Sequence, residues 1–257
     1  MGNDNARREW QEKIDALAGM EEFKALMAEW ESIFPVLQKT KNFDLFMHRV
    51  YLFSIADGEG FTKQLNLMAS ATKFLDEKRT LYSVKEVNMP YREATEKSKK
   101  NATPASIAID ELREQGTFSG VVSTLLAVDI REWIGRTGNN HFRSVLEYIF
   151  DNINGSVVFR VPLMDERYLR QVEADIADVR NVSTVVTNET TIEEYLQYAD
   201  ILAKRRGVII AKDAKEALAK CIIEEKNRGN LNGYATVKKI FNEILYLKIL
   251  QMGKEHV

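Results

Sequence analysis

Residues 49–72, RVYLFSIADGEGFTKQLNLMASAT, constrain the fold more than any other stretch of the chain. Val50, Tyr51, Leu52, Phe53 and Ile55 form a short apolar run rich in β-formers, closed by Asp57-Gly58-Glu59-Gly60. From Thr62 on, Leu65, Met68, Ala71 and Leu75 recur at helical spacing. A buried strand, a glycine loop and an amphipathic helix in succession are the setting of a phosphate-binding loop. There the first turn of a helix presents free N–H groups to an anion.

The loop does not carry the residues that this chemistry needs. Laid on residues 55–62, the pattern G-x-x-x-x-G-K-[ST] reads Ile, Ala, Asp, Gly, Glu, Gly, Phe, Thr. Gly60 and Thr62 match. Ile55 replaces the first glycine, and Phe61 replaces the lysine that would reach the β- and γ-phosphates. Asp57 and Glu59 bring negative charge to where a polyphosphate would lie. Each lost charge-assisted hydrogen bond is worth roughly 1.5–3 kcal/mol. Standing alone, the loop reads as an Asp-Gly turn between a strand and a helix.

A chain of 257 residues fits one large domain and a small one. With 45% apolar and 29% charged residues it reads as soluble and globular, and a net charge of −2 gives no reason to expect nucleic acid or an anionic membrane. Cys221 is the only cysteine, which excludes an intrachain disulfide and a thiolate metal cluster. His48, His141 and His256 are isolated, so no zinc site is expected. No apolar run reaches membrane-spanning length and the N-terminus is polar, so the cytoplasm is the expected compartment.

Ahead of the loop, residues 3–16 read as a charged helical arm that ends at Gly19. Met20, Phe23, Met27, Trp30 and Phe34 then make one core stripe up to Pro35. Beyond it, residues 80–87 form a weak second strand. Residues 88–102 form a polar, lysine-rich segment (Lys97, Lys99, Lys100). Thr103-Pro104 opens a helix that Gly116 closes. Residues 121–128 are a strand ending in Asp129, Asn140 caps a helix, and residues 156–161 are a fourth strand. A helix over 163–177 and a fifth strand over 182–186 follow. This alternation predicts an α/β fold with a parallel five-strand sheet and helices on both faces.

After Asn188 the strands stop and three helices follow. Thr191-x-x-Glu194 and Asp213-x-x-Glu216 read as capping boxes for helices over 192–206 and 214–226, and the last helix spans about 234–252. The boundary falls near Glu189, giving an α/β domain with its helical arm over 1–188 and an all-helical lid over 189–257. Cys221 shares an apolar face with Ala214, Ala217, Leu218 and Ile222 and is expected to be packed. On the last helix Val237, Ile240, Phe241, Ile244 and Leu247 form a stripe that should be buried. Leu245, Tyr246, Ile249 and Leu250 are left over, Tyr246 and Leu250 largely opposite it. Another subunit would cover these residues, or else the large domain or N-terminal arm of the same chain.

A five-strand α/β domain with a phosphate loop on its first strand and a helical lid resembles the AAA+ ATPases. Within them it is most similar to the CbxX/CfxQ type, which includes the stage V sporulation K proteins. Three stretches carry the resemblance: IDALAGMEEFKALMAEW, HRVYLFSIADGEGFTKQL, and YADILAKRRGVIIAKDAKEALAKCI with NGYATVKKIFNEIL. It implies a P-loop NTPase fold and a nucleotide site at Gly58, Gly60, Thr62 and Asp129. In that family an aspartate like Asp129 holds Mg²⁺ through water, and the glutamate after it activates the attacking water; here Ile130 follows. Glu132 is displaced along the chain. Val161-Pro162 stands at the polar sensor, and Gly233-Tyr234-Ala235-Thr236 lacks the lid arginine. Arg180 matches the arginine finger that reaches a neighbour's nucleotide. Tyr91 matches the aromatic pore residue, although Glu93 replaces its companion glycine.

Hydrolysis needs positioning, charge neutralisation and water activation together. Losing the lysine, base, sensor and lid arginine predicts a catalytically inactive AAA+-like module with no catalytic residue. It would serve as a structural or regulatory subunit, assembling with itself or with an active AAA+ relative through Arg180 and through Tyr246, Ile249 and Leu250. No cofactor is expected to be held firmly; ATP and Mg²⁺ would bind weakly at most. The competing reading is an ATPase, or nucleotide-binding switch, with an unorthodox site. A clamp-loader-like DNA accessory role is disfavoured because no basic stripe with interleaved aromatics is present.

Overall fold

In the computed structural model, residues 2–73, 83–93, 102–118 and 123–255 are described. β1 (Val50–Ser54) is buried along its whole length, as befits a strand with neighbours on both edges and helices on both faces. It pairs in parallel with β4 (Gly155–Val161) on one side and β5 (Val182–Val186) on the other, with Leu52 opposite Phe159 and Thr184. β3 (Thr124–Asp129) lies outside β4, and β2 (Ser83–Asn88) forms that edge, so the order is β2-β3-β4-β1-β5. The predicted five-strand parallel sheet is the one observed. Positions 80–82 and 121–122 of the second and third strand predictions lie outside the described residues, as do Leu75, the three lysines and His256.

Alternation along β1 sends side chains to two cores. Tyr51 and Phe53 join Phe23, Trp30 and Phe34 of α2 (Glu21–Thr40) and Leu65 of α4 (Phe61–Thr72), in a core that α1 (Gly2–Asp15) and α3 (Phe43–Met47) also enter. Val50 and Leu52 join the opposite core, built from α5 (Pro104–Glu114), α6 (Asn140–Asn152) and α7 (Glu166–Ala177). The N-terminal helix lies across α4 rather than standing free. Trp10 and Ile14 are buried, and the Trp10 indole N–H donates to the Leu67 carbonyl at 2.9 Å.

Several boundaries differ from expectation. α2 runs through Pro35 to Thr40, where Lys41 ends it in the left-handed conformation with its N–H on the Leu37 carbonyl. Phe34 anchors that last stretch in the core, and burial outweighs the one backbone bond that proline removes. Asn139, not Asn140, caps α6, its side chain accepting from the Phe142 N–H at 2.9 Å. α7 starts at Glu166, capped by Asp165, three residues later than the periodicity suggests. The Thr103 cap of α5 is present, with Ser106 completing the box.

The C-terminal helices are α8 (Ile192–Arg205), α9 (Lys212–Asn227) and α10 (Gly233–Glu255). The Thr191–Glu194 box forms as expected. Asp213 is not a cap: α9 begins at Lys212, two residues earlier than expected, after Ala211 and without a side-chain cap. Tyr195, Leu218, Ile222, Tyr234 and Val237 make a third core that also takes in Ala18. Cys221, Ala214 and Ala217 are exposed, contrary to expectation, because α9 buries only the narrow Leu218–Ile222 stripe. On α10 burial stops at Phe241. Ile244 and Leu247, expected in the stripe, are 45% and 59% exposed, and Tyr246, Ile249, Leu250 and Met252 are exposed as well. Neither the α/β part nor the N-terminal helix covers them. Among the described residues no helix is long and apolar enough to cross a membrane.

Candidate nucleotide site

β1 continues by one residue into Ile55, whose N–H donates to Val161 O at 3.0 Å and whose side chain is fully buried. The chain then turns through Asp57–Gly60, at the carboxyl end of the sheet where strand order reverses between β4 and β1. Open α/β sheets place their ligands in that crevice. Gly58 and Gly60 both have positive φ (80° and 78°), and Gly60 precedes the first residue of α4. Phe61 turns inward onto Phe53 (ring centroids 5.8 Å apart), and the Arg160 guanidinium lies 5.2 Å from its ring.

Two arginines that the sequence reading did not single out lie beside the loop and engage Asp57 and Asp129. Arg131, just after β3, binds Asp129 through Nε (3.0 Å to each carboxylate oxygen) and Nη2 (2.8 Å). The same guanidinium reaches Asp57 through Nη1 (3.1 Å) and Nη2 (2.9 Å). Arg160, opposite Asp129 in the β3–β4 register, donates to Asp57 and lies 3.6 Å from Asp129. The four side chains form a closed network of two positive and two negative charges. The Arg131 hydrogen bond is the main reason that the Asp57 carboxyl is held down to about 2, and Arg160 adds to it. Arg131 in turn is held more firmly protonated. Asp129, the expected Mg²⁺ ligand, is thus engaged by a guanidinium.

The other positions that the resemblance marks make packing and backbone contacts. Ile130 is fully buried and its N–H donates to the Arg160 carbonyl at 3.0 Å. Glu132 accepts from the backbone N–H of Tyr91 at 3.2 Å, which commits it away from the loop. Val161 is buried, and the Pro162 carbonyl accepts from Ser54 Oγ at 3.2 Å. Thr62 is exposed and its carbonyl accepts from Asn66. Of the four predicted binding residues, Asp129 is a member of the ion network and Gly58 adjoins it through Asp57, whereas Gly60 and Thr62, at the start of α4, take no part in it. Arg180 is half-buried with its guanidinium 4.7 Å from the Phe150 ring. Tyr91 is wedged between Trp133 (5.0 Å) and the Arg136 guanidinium (4.4 Å).

The lid sits on the loop itself. Tyr234 N–H donates to Gly58 O at 3.1 Å and the Tyr234 hydroxyl to Ala18 O at 2.7 Å. Glu59 is buried and accepts from Thr190 Oγ1 (2.6 Å) and the Tyr195 hydroxyl (2.5 Å). Burial raises the Glu59 pKa against those two bonds, and Glu194 and Glu189 add to the rise. The Tyr195 and Tyr234 hydroxyls are pushed up as well, mainly by burial. Gly233 packs so closely that a Cβ there would lie 2.6 Å from the Gly58 carbonyl.

No family model matches the chain, and no curated protein matches it. Solved structures do. Domain III of the Thermotoga maritima replication initiation protein DnaA superposes with a TM-score of 0.50 at 10% identity, covering 93% of this chain and 89% of that one. A replication initiator DnaA bound to AMPPCP and single-stranded DNA gives 0.45 at 13% identity over 84% of this chain and 58% of that one. The Aeropyrum pernix ORC2 protein gives 0.39 at 13% identity over 84% and 67%. At 10% identity the likeness to the first of these is one of fold alone: a P-loop NTPase-like parallel five-strand sheet with C-terminal helices.

Proposed function

We propose that this chain is an AAA+-like module that has lost ATP hydrolysis and acts as a structural or regulatory subunit, in a homo- or hetero-oligomeric AAA+ assembly. The observation that carries the reading is the Asp57–Arg131–Asp129–Arg160 network. It neutralises, with the chain's own side chains, the place where a nucleotide's phosphates and Mg²⁺ would be held. Phe61 and Ile130, buried at the lysine and base positions, support it further. The division into 1–188 and 189–257, the likeness to the CbxX/CfxQ type and the use of Arg180 toward a neighbour's nucleotide belong to the same proposal. Nucleic acid is left out on the strength of the net charge of −2.

One observation favours the alternative, a nucleotide site of unusual make-up. Arg160 Nε is buried without a hydrogen-bond partner, beside a cavity of about 200 Å³ lined by Phe61, Asn88, Asp129 and Arg160. A calorimetric titration of the purified chain with ATP and Mg²⁺ decides between the two. The proposal expects no saturable heat and no ATP turnover. Stoichiometric binding at micromolar concentration, weakened by Asp129→Ala, would establish the alternative.

A further inference from the structure

Behind the loop, separate from the ion network, lies a second cavity of about 60 Å³. It is bounded by the N-terminus of α2, the exit of β5, the start of α8 and the first turn of α4. Gln64 lines it, fully buried, and neither its amide oxygen nor its amide nitrogen has a hydrogen-bond partner. A buried amide left so costs about 1–3 kcal/mol for each group, which marks a place where a ligand is rewarded.

The walls define the chemistry of that ligand. Glu22, Glu59 and Glu194 line the cavity, with Glu21 beside them, paired to Lys24 at 2.7 Å. The nearby hydroxyl protons are committed elsewhere: Thr187 Oγ1 donates to Ser54 O at 3.0 Å, and Thr190 Oγ1 to Glu59. Asn188 also lines the cavity and donates to Glu22; apart from its second amide proton, the Gln64 NH₂ and the backbone N–H groups opening α2, the capacity left over is that of acceptors. Glu21 and Glu22 offset the positive end of α2, so Glu194 leaves the cavity with a surplus of negative charge, and a cation bound there would draw Glu59 into its ionised form. A neutral or anionic ligand does not answer that surplus; a compact cation with several N–H donors does. Among the described residues no three His, Cys, Asp or Glu side chains converge closely enough to hold a metal ion.

We infer that this cavity binds a small primary ammonium ion, with Gln64 Oε1 and the Glu59 and Glu194 carboxylates as its acceptors. A volume of about 60 Å³ accommodates a methylammonium-sized ion with one or two waters. The inference stands apart from nucleotide binding, because none of these groups belongs to the Asp57–Arg131 network.

The test is a titration of the full chain with methylammonium chloride, followed through the side-chain amide resonances of Gln64 and the line width of the ligand. Sodium chloride at equal ionic strength and acetamide serve as the charge and shape controls. Saturable shifts with methylammonium alone are expected. Gln64→Met and Glu59→Gln should each weaken binding at least tenfold, about 1.4 kcal/mol. Equal responses to sodium or acetamide, no saturation, or unchanged affinity in both variants would overturn the assignment. The comparison among the three solutes needs no variant, so it stands even if a substitution fails to fold.

Discussion

At the scale of single residues, Asp57 and Glu59 have opposite fates although only Gly58 separates them. Asp57 is ionised and held between two guanidiniums; Glu59 is drawn under the lid, where burial favours its neutral form. Removing the Asp57 carboxylate leaves Arg131 and Arg160 with one counter-charge instead of two. Asp57→Ala should therefore bind pyrophosphate roughly tenfold to a hundredfold more tightly than wild type, as one charge-assisted hydrogen bond is worth. Equal affinities in a competition titration would mean that the network is not what keeps phosphate out. For Glu59 the linkage runs the other way. A carboxyl whose folded-state pKa lies above its ordinary 4.5 adds stability below that value and loses it as pH rises through the folded one. Glu59→Gln cannot ionise. Its melting temperature relative to wild type should be more favourable at about pH 7.5 than at about pH 4.5. A difference independent of pH would show that Glu59 ionises freely in the folded chain.

Among the elements, α10 is the one whose sequence and surroundings disagree. Its first half is an ordinary lid helix, with Val237 and Phe241 buried; its second half exposes Ile244, Tyr246, Leu247, Ile249, Leu250 and Met252 around the whole circumference. That is on the order of the largest apolar patch a monomer carries, and several hundred Å² approaches one partner's share of a stable interface. A second copy of the chain meeting this end is the association we expect. Leu250→Glu should lower the sedimentation coefficient at concentrations where wild type associates, leaving helix content and the melting transition within about 0.5 kcal/mol of wild type. A wild type monomeric at all workable concentrations would sink the expectation. What could be read in advance follows from the range of the forces involved. The Thr103 and Thr191 caps, the fully apolar β1 run and the strand–helix alternation are local, and all appear in the structure. The Asp57–Arg131 and Asp57–Arg160 pairs join residues 74 and 103 positions apart, which no local pattern encodes. Arg160 still left a trace, a lone cation inside the buried run VVFRV. Cys221 and Leu247 were misjudged because periodicity names an apolar face without saying how much of it a neighbour covers.

Across the whole molecule, the lid and the sheet domain meet at the phosphate-type loop, by Gly58 against Asn232 and Tyr234 and by Glu59 against Thr190 and Tyr195. Gly58 has φ of 80°, and a Cβ there would lie 2.5 Å from the Asn232 carbonyl carbon. Gly58→Ala should unseat α8–α10 while sparing the sheet core. Amide exchange in α8 and α10 would rise while β1, β3 and β4 stayed protected. Uniform loss of protection, or none, would argue against a localised junction. Where a nucleotide is the only bridge between two bodies, hydrolysis sets the angle between them and the angle becomes a signal. This chain makes such a bridge with its own hydrogen bonds, from Tyr234 N–H to Gly58 O and from Thr190 and Tyr195 to Glu59. In the assembly we propose, it would be the subunit whose two parts keep their angle while its neighbours change theirs.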